Sequence, residues 1–492
     1  MVRPLPGIRF ETVAPPLADA LPRMDVAVFV GLAAPRVTSP LGSPASFDSA
    51  VAVEDPSEFS ALFDELPESN LGPAVRGFFR NGGRRCWVVA LASLDGLLDP
   101  QLADASVPDL LDEADYIRYQ SPTPRPLEGI HAALSVDEAT IVAVPDAVLA
   151  GWTSSTTYEP LPAPPPPDAA PPEAPPLFAP CDTPQIPLSS PPAFEPADEV
   201  PITTKSFSDG ILVQVHRALL RMCAARGDLF AILSVPAHYR ELDLLAHAAK
   251  LTTAKGGLVR YAPRRSQQEI GAFGPSETGA LSYGALYHPW LAAREESAPD
   301  SLRTSPPDGA IAGTFAKRSL LRGAWIAPAG ETLHGVVALD PPIRQDYWQA
   351  LQDAQVNIIR QVPSGFVCLN ADTLSFEDSL RPINVRRLLQ LLRRAALKLG
   401  VDYVFEPNDA SFRRSVQRGF EGLLGGMFVR GAFAGRIPSE SFQVVTDSSL
   451  NTRASIDLGR FIVELKVAPS LPLTFLTVRL VQSGDRTYVT ED

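Results

Sequence analysis

The chain has 492 residues and a mass of 52.8 kDa, room for two to four domains at roughly 150 residues each. With 43 Lys and Arg against 56 Asp and Glu, the net charge is −13, which argues against a dedicated nucleic-acid binder. Hydrophobic residues make up 45% and charged residues 20%; a chain of that composition buries a sizeable core, which excludes wholesale disorder.

Residues 1–25 read as an extended arm, because Pro4, Pro6, Pro15, Pro16 and Pro22 prevent a helix while Ile8-Arg9-Phe10-Glu11 alternates as a strand does. Val26 to Val30 is a buried-strand run ending at Gly31. Glu54 to Phe63 and Leu71 to Phe79 predict two short helices, and Cys86 to Leu91 another buried strand. A strand, helices and a strand make a crossover unit, so the fold class is α/β with a largely parallel sheet. The pattern continues with strands at Ile141–Val144, Leu229–Leu233 and Leu281–Tyr287 and helices at Ile211–Ala225 and Arg240–Leu251. Between them, residues 159–201 carry 17 of the 50 prolines and predict a polyproline-type surface insertion outside sheet and helix.

A further region begins near Pro341. Tyr347 to Val356 is helical and Gly365 to Leu369 a strand. Val385 to Leu399 is the clearest helix, with Val385, Leu388, Leu389, Leu392, Ala395, Ala396 and Leu399 on one stripe. Its other side carries Arg386, Arg387, Arg393 and Arg394, and Ser411 to Phe433 adds a glycine-interrupted helical stretch bearing Arg413, Arg414 and Arg418. Between Arg381 and Arg436 eleven Lys and Arg face four acids, a local balance of +7. That contrast reads either as a solvated helix face or as a basic surface that docks on an acidic partner or a neighbouring copy. Phe461, Val463, Leu465 and Val467 alternate along one strand, and Leu476, Val478 and Leu480 along a last one beyond Pro469 and Pro472.

The chemistry of an enzyme is not signalled. There is no P-loop, no dinucleotide fingerprint, no H-E-x-x-H and no G-x-S-x-G, so no catalytic residue, metal ligand or cofactor is assigned. The four cysteines (86, 181, 223, 368) form no C-x-x-C, as expected of a reducing compartment. No apolar run reaches the roughly 18–20 residues that span a bilayer, and the proline-rich start does not read as a signal peptide. The expectation is assembly in the cytoplasm, with later release by lysis open.

Several segments together carry a family resemblance. Asp353 to Arg360, Gly365 to Leu369, Ile383-Asn-Val-Arg-Arg-Leu388, Phe405-Glu-Pro-Asn-Asp409, Asn451-Thr452, Asp457-Leu-Gly-Arg460 and Val467-Ala-Pro469 resemble the C-terminal domain of contractile tail sheath proteins. Pro306 to Gly313 with Arg322 to Pro328, and upstream Asp25 to Gly31 with Phe78 to Trp87, resemble the end and beginning of that family's subtilisin-like domain. The style is closest to sheaths of phage-tail-like extracellular contractile injection systems. Two departures stand out: Ser319-Leu-Leu replaces an acidic residue before Arg322-Gly323, and the proline-rich segment is not a general family feature.

The resemblance implies a linker arm at 1–25, an outer subtilisin-like α/β domain at 26–338 with the insertion 159–201, a smaller α+β tube-facing domain at 339–468 and a second arm at 469–492. It implies a non-catalytic subunit that polymerises with itself, six-fold and helically, around an inner tube protein between baseplate and cap proteins, without nucleic acid or membrane insertion. Contraction would drive the tube through a target envelope. Ile8, Phe10, Leu476, Val478 and Leu480 are expected to add strands to the sheet of Phe461 to Val467 in other subunits. The arginines at 386, 387, 393, 394, 413, 414 and 418 are expected on a tube- or neighbour-facing surface. A tube or baseplate component, or a hydrolytic enzyme on the α/β domain, remains a rival class.

Overall fold

A computed structural model describes residues 21–36, 45–149, 209–253, 272–295, 301–401, 403, 406, 409–447, 450–454, 460–470, 476–483 and 486–491. The expected arm residues Ile8 and Phe10 and the insertion 159–201 lie outside the described residues.

The apolar run after Asp25 forms strand β1 (Ala27–Pro35). Beyond β2 (Ala50–Val53), Asp55 accepts the Ser57 N–H and Pro56 opens helix α1 (Pro56–Leu62), the usual pairing of an acceptor cap with a proline whose missing N–H costs nothing there. Strand β3 (Phe63–Glu65), helix α2 (Leu71–Arg80) and strand β4 (Cys86–Leu91) follow. β1 and β4 run parallel, Ala27 opposite Cys86, as the crossover reading requires. After α3 (Leu110–Asp115), parallel pairing extends from β1 through β5 (Ile141–Ala143) and β6 (Phe230–Ser234) to β7 (Gly284–His288). Helix α4 (Asp209–Arg226) precedes β6 and α5 (Glu241–Leu251) follows it. The last of these strands starts at Gly284, not Leu281, because Pro275–Tyr283 winds as a 3-10 turn.

Next come β8 (Trp290–Arg294), β9 (Leu302–Ser305), α6 (Asp308–Leu321), β10 (Thr332–Leu333), β11 (Val336–Asp340), α7 (Trp348–Asp353), β12 (Val356–Val362) and β13 (Gly365–Cys368). β12 pairs parallel with β7, so the ten-stranded sheet runs β10-β13-β12-β7-β6-β5-β1-β4-β2 with β3 on β1. This corrects the boundary expected at 339: residues 356–368 are part of the large sheet, and Ile359 and Cys368 sit in its core. β11-β8-β9 forms a separate three-stranded sheet.

The second core begins with α8 (Ile383–Val401) and α9 (Ala410–Val429), followed by α10 (Pro438–Ser441) and strands β14 (Phe442–Val445), β15 (Arg460–Val467), β16 (Leu476–Ser483) and β17 (Arg486–Glu491). The four strands form one antiparallel sheet in the order β14-β15-β16-β17. Leu388, Leu389 and Leu392 of α8, Val416, Phe420, Leu424 and Met427 of α9, and Phe461, Val463, Leu465 and Val467 of β15 share this core. Both predicted stripes therefore bury as their spacing demands.

Candidate functional site

The arginines of α8 and α9 have opposite fates. On α8, Arg386 and Arg387 are buried, which corrects their expected place on a tube- or neighbour-facing surface. Arg387 donates to the carbonyl oxygens of Thr140 (2.9 Å) and Met24 and to Ser319 Oγ (3.3 Å). Burial, with Arg394 nearby, pulls its guanidinium down to about 9, while Asp25 opposes that shift. Arg386 stacks over the Tyr283 ring at 4.2 Å. One and two turns further on, Gln390 donates to Leu229 O (2.6 Å), and Arg394 reaches Asp228 (2.7 Å) and Ala139 O (3.3 Å). Arg393 packs on Gly227, whose φ of +77° and lack of a Cβ admit the guanidinium. These side chains fasten α8 to the α/β body, so Arg393 and Arg394 also belong to that seam and not to an outer surface.

α9 presents a different face. Asp409 caps it by accepting from the Ser411 and Phe412 N–H groups, both at 2.8 Å. With Val416, Phe420, Leu424 and Met427 turned inward, Arg414 and Arg418 stand exposed and Arg413 half-buried. Arg418 bonds back to Arg414 O at 3.2 Å. Gly422, Gly425 and Gly426 continue the outward face with open space beyond each.

The strand residues divide as well. Phe461, Val463, Leu465 and Val467 face the core. Backbone pairing sets Val467 opposite Leu476, Leu465 opposite Val478 and Val463 opposite Leu480. The expectation that the last strand lacks a partner in its own chain is thus corrected: eight residues of β15 pair eight of β16.

Titratable groups in the α/β body serve its interior. Four histidines, 131, 216, 247 and 288, are buried. Burial lowers His131 to about 4, against a small opposing pull from Asp99, and lowers His288 to about 3. His216 Nδ1 lies 3.3 Å from His247 Nε2. Asp146 accepts from the Leu32 and Asn70 N–H groups (2.7 and 2.6 Å) and from Ser69 Oγ (2.8 Å), tying the end of β1 to the start of α2. Asp308 accepts from Ser234 Oγ (2.6 Å), and burial raises it to about 7. Among the described residues no cluster of three or more His, Cys, Asp or Glu could hold a metal ion. Among those residues, too, no helix is long and apolar enough to cross a membrane.

No protein-family model matches the chain. A tail sheath protein of Vibrio phage KVP40 is 29% identical over 190 residues, which are 38% of this chain and 27% of that protein's length. Two solved structures share the architecture over nearly the whole chain. The helical sheath of the anti-feeding prophage in its contracted state is 21% identical, with a TM-score of 0.56 over 96% of this chain and 98% of its own. The contracted sheath complex of PVC, an extracellular contractile injection system, is 18% identical, with a TM-score of 0.54 over 96% of both chains. The resemblance to contractile tail sheath proteins is therefore borne out: this chain has the sheath-protein fold, a mixed α/β architecture with one large parallel-rich sheet and smaller sheets.

Proposed function

We propose that this chain is the structural, non-catalytic subunit of the contractile sheath of a phage-tail-like injection system. It polymerises as a six-fold helical cylinder around an inner tube, attached to a baseplate and a cap, and contracts to drive the tube through a target envelope. The observation that carries this is the shared fold with two contracted sheaths over 96% of the chain. In this reading the body up to β13 is the outer, subtilisin-like domain, and the unit from α8 onward faces the tube. Assembly takes place in the cytoplasm before release.

The outward face of α9 supports the tube-facing role, because Arg414 and Arg418 are the basic residues that the fold leaves exposed there. The four-stranded sheet supports linkage between copies. Its edges, β14 and β17, can receive an extended segment carrying Ile8 and Phe10, and the β15–β16 ladder is a pairing that neighbours can exchange in the same register. Each of its backbone hydrogen bonds contributes about 0.5–1.5 kcal/mol net, multiplied along a lattice.

Electron microscopy of the purified chain tests the function: hollow, striated cylinders are expected, and globular particles under every condition, with inner tube supplied, would refute it. Reversing Arg413, Arg414 and Arg418 to Glu should leave the fold intact and stop assembly on the tube. Deleting residues 1–20 should give a folded monomer that no longer polymerises.

A further inference from the structure

A groove of about 640 Å³ opens beside the start of β1. Leu21–Asp25 forms one wall, and the end of α6 with the loop after it, Ser319–Ile326, forms the other. Leu320 and Leu321 on that wall are exposed, Leu321 by 69%. Trp325 lines the groove at 2% exposure, and its indole N–H finds no acceptor among the described residues. Arg322 and Arg430 line it in exposed positions, while the carboxylate at the site, Asp25, is bonded by Arg23 at 2.7 Å. Apolar walls left exposed among the described residues, together with surplus positive charge, suit a segment that brings apolar side chains together with carboxylates.

The chain carries such a segment elsewhere. Helix α3 runs into a single π-turn, Tyr116–Gln120, a geometry that recurs at functional surfaces. Leu111, Tyr116 and Tyr119 are exposed, Tyr119 by 70%. Between Asp104 and Tyr119 the sequence has five acids (Asp104, Asp109, Asp112, Glu113, Asp115) and one base, Arg118, which lies over the Tyr119 ring at 5.1 Å. A monomer gains nothing from displaying large aromatic side chains on an acidic ledge, or from leaving Leu320 and Leu321 bare beside two arginines.

We propose that the acidic ledge Leu111–Tyr119 of one copy docks in the Leu320–Arg322–Arg430 groove of a second copy. The inference rests on the sheath reading and adds to it a contact distinct from the linking strands. Ledge and groove are different surfaces, so the contact is heterologous and propagates along a filament instead of closing a dimer. Aromatic rings enter the apolar groove, and Asp112 and Asp115 meet Arg322 and Arg430.

Charge reversal tests this directly. One full-length variant carries Asp112→Arg and Asp115→Arg, the other Arg322→Asp and Arg430→Asp. Both sets are surface positions, so circular dichroism and melting should match wild type. Each variant alone should form at least tenfold fewer cylinders, since like charges then face each other. Mixed one to one they should polymerise again, because each ledge then meets a groove of opposite sign. Normal cylinders from either variant alone, or failure of the mixture while both remain folded, would overturn the contact. A groove variant that still polymerises and loses only binding to the inner tube would overturn it too, by assigning the groove to the tube. If wild type itself forms no cylinders, the sheath reading fails separately. Sedimentation of the mixture then decides the contact: complexes that contain both variants, from one-to-one upward, retain it, and two unassociated monomers refute it.

Discussion

The two halves of this molecule handle charge in opposite ways. The α/β body contains all six histidines and buries four of them, whereas no histidine follows residue 334. The unit from α8 onward is rich in arginine, which stays charged at any physiological pH. It spends the α8 arginines on its own seam to the body and leaves those of α9 outside. A permanent charge thus holds the two cores together, while the groups able to change charge are locked inside one of them. Between about pH 4 and 7, stability of the body should therefore depend on pH more than that of the second unit.

The largest effect is expected at the seam. Arg387→Leu removes the donor to Met24, Thr140 and Ser319; it strands the buried Met24 carbonyl oxygen, at a cost of about 1–3 kcal/mol, and leaves that of Thr140 with the Phe230 N–H alone. A loss of about 3 kcal/mol, with the melting temperature lowered to match, should appear in thermal unfolding. A change under about 1 kcal/mol would mean that Arg387 is not a main link between the cores.

Acid should then separate the halves. His131 and His288 are depressed below the usual histidine value in the folded chain, so below about pH 6.5 the unfolded chain takes up protons that the folded one refuses. Stability is whole above that pH and falls as pH drops toward 4, by about 3 kcal/mol for a histidine shifted as His131 is. Asp308 and Asp146, raised by burial, oppose this in part. Hydrogen exchange at pH 5, corrected for intrinsic rate, should show β5, β7 and α4 opening before α8, α9 and β15. Uniform opening of both halves would erase the contrast.

Asp308 works against the histidines over much the same pH range. Its raised value means that stability is fully present below about pH 4, where the unfolded carboxyl is protonated as well, and is lost as pH rises from there through about 7. Asp308→Asn keeps the acceptor for Ser234 and should stabilise the chain relative to wild type by about 2–3 kcal/mol more at pH 8 than at pH 5, measured by urea titration at both values.

The smallest effect belongs to α9. Gly422→Ala and Gly426→Ala enter open space, so each should stabilise the isolated chain by up to about 1 kcal/mol. If a partner packs closely on this face, the same substitutions should slow assembly, read by light scattering. Unchanged assembly would leave the glycines without a role at the interface.

Much of the fold was legible in the sequence because burial leaves a pattern. The apolar runs at Ala27, Cys86, Ile141 and Phe230 are too short for helices and too continuous for surface strands, so they had to be central strands of a covered sheet. The stripe from Val385 to Leu399 had to be a helix with one buried face, and it is. β2 and β17 escaped notice, since four and six residues of mixed character carry little periodic signal.

What the sequence determined, then, is which residues form helices and strands and which of their faces are apolar. Tertiary structure decided where the charges beside those faces go. Arg386, Arg387, Arg393, Arg394, Arg414 and Arg418 all flank apolar stripes, and nothing in their spacing separates the first four from the last two. Two of the oxygens that Arg387 binds belong to residues 247 and 363 positions away in the chain, and these are backbone carbonyls, which every residue carries. A carbonyl acceptor leaves no mark in a sequence. Only folding brings it within 3 Å of a guanidinium, and so turns a basic helix face into the seam between two cores.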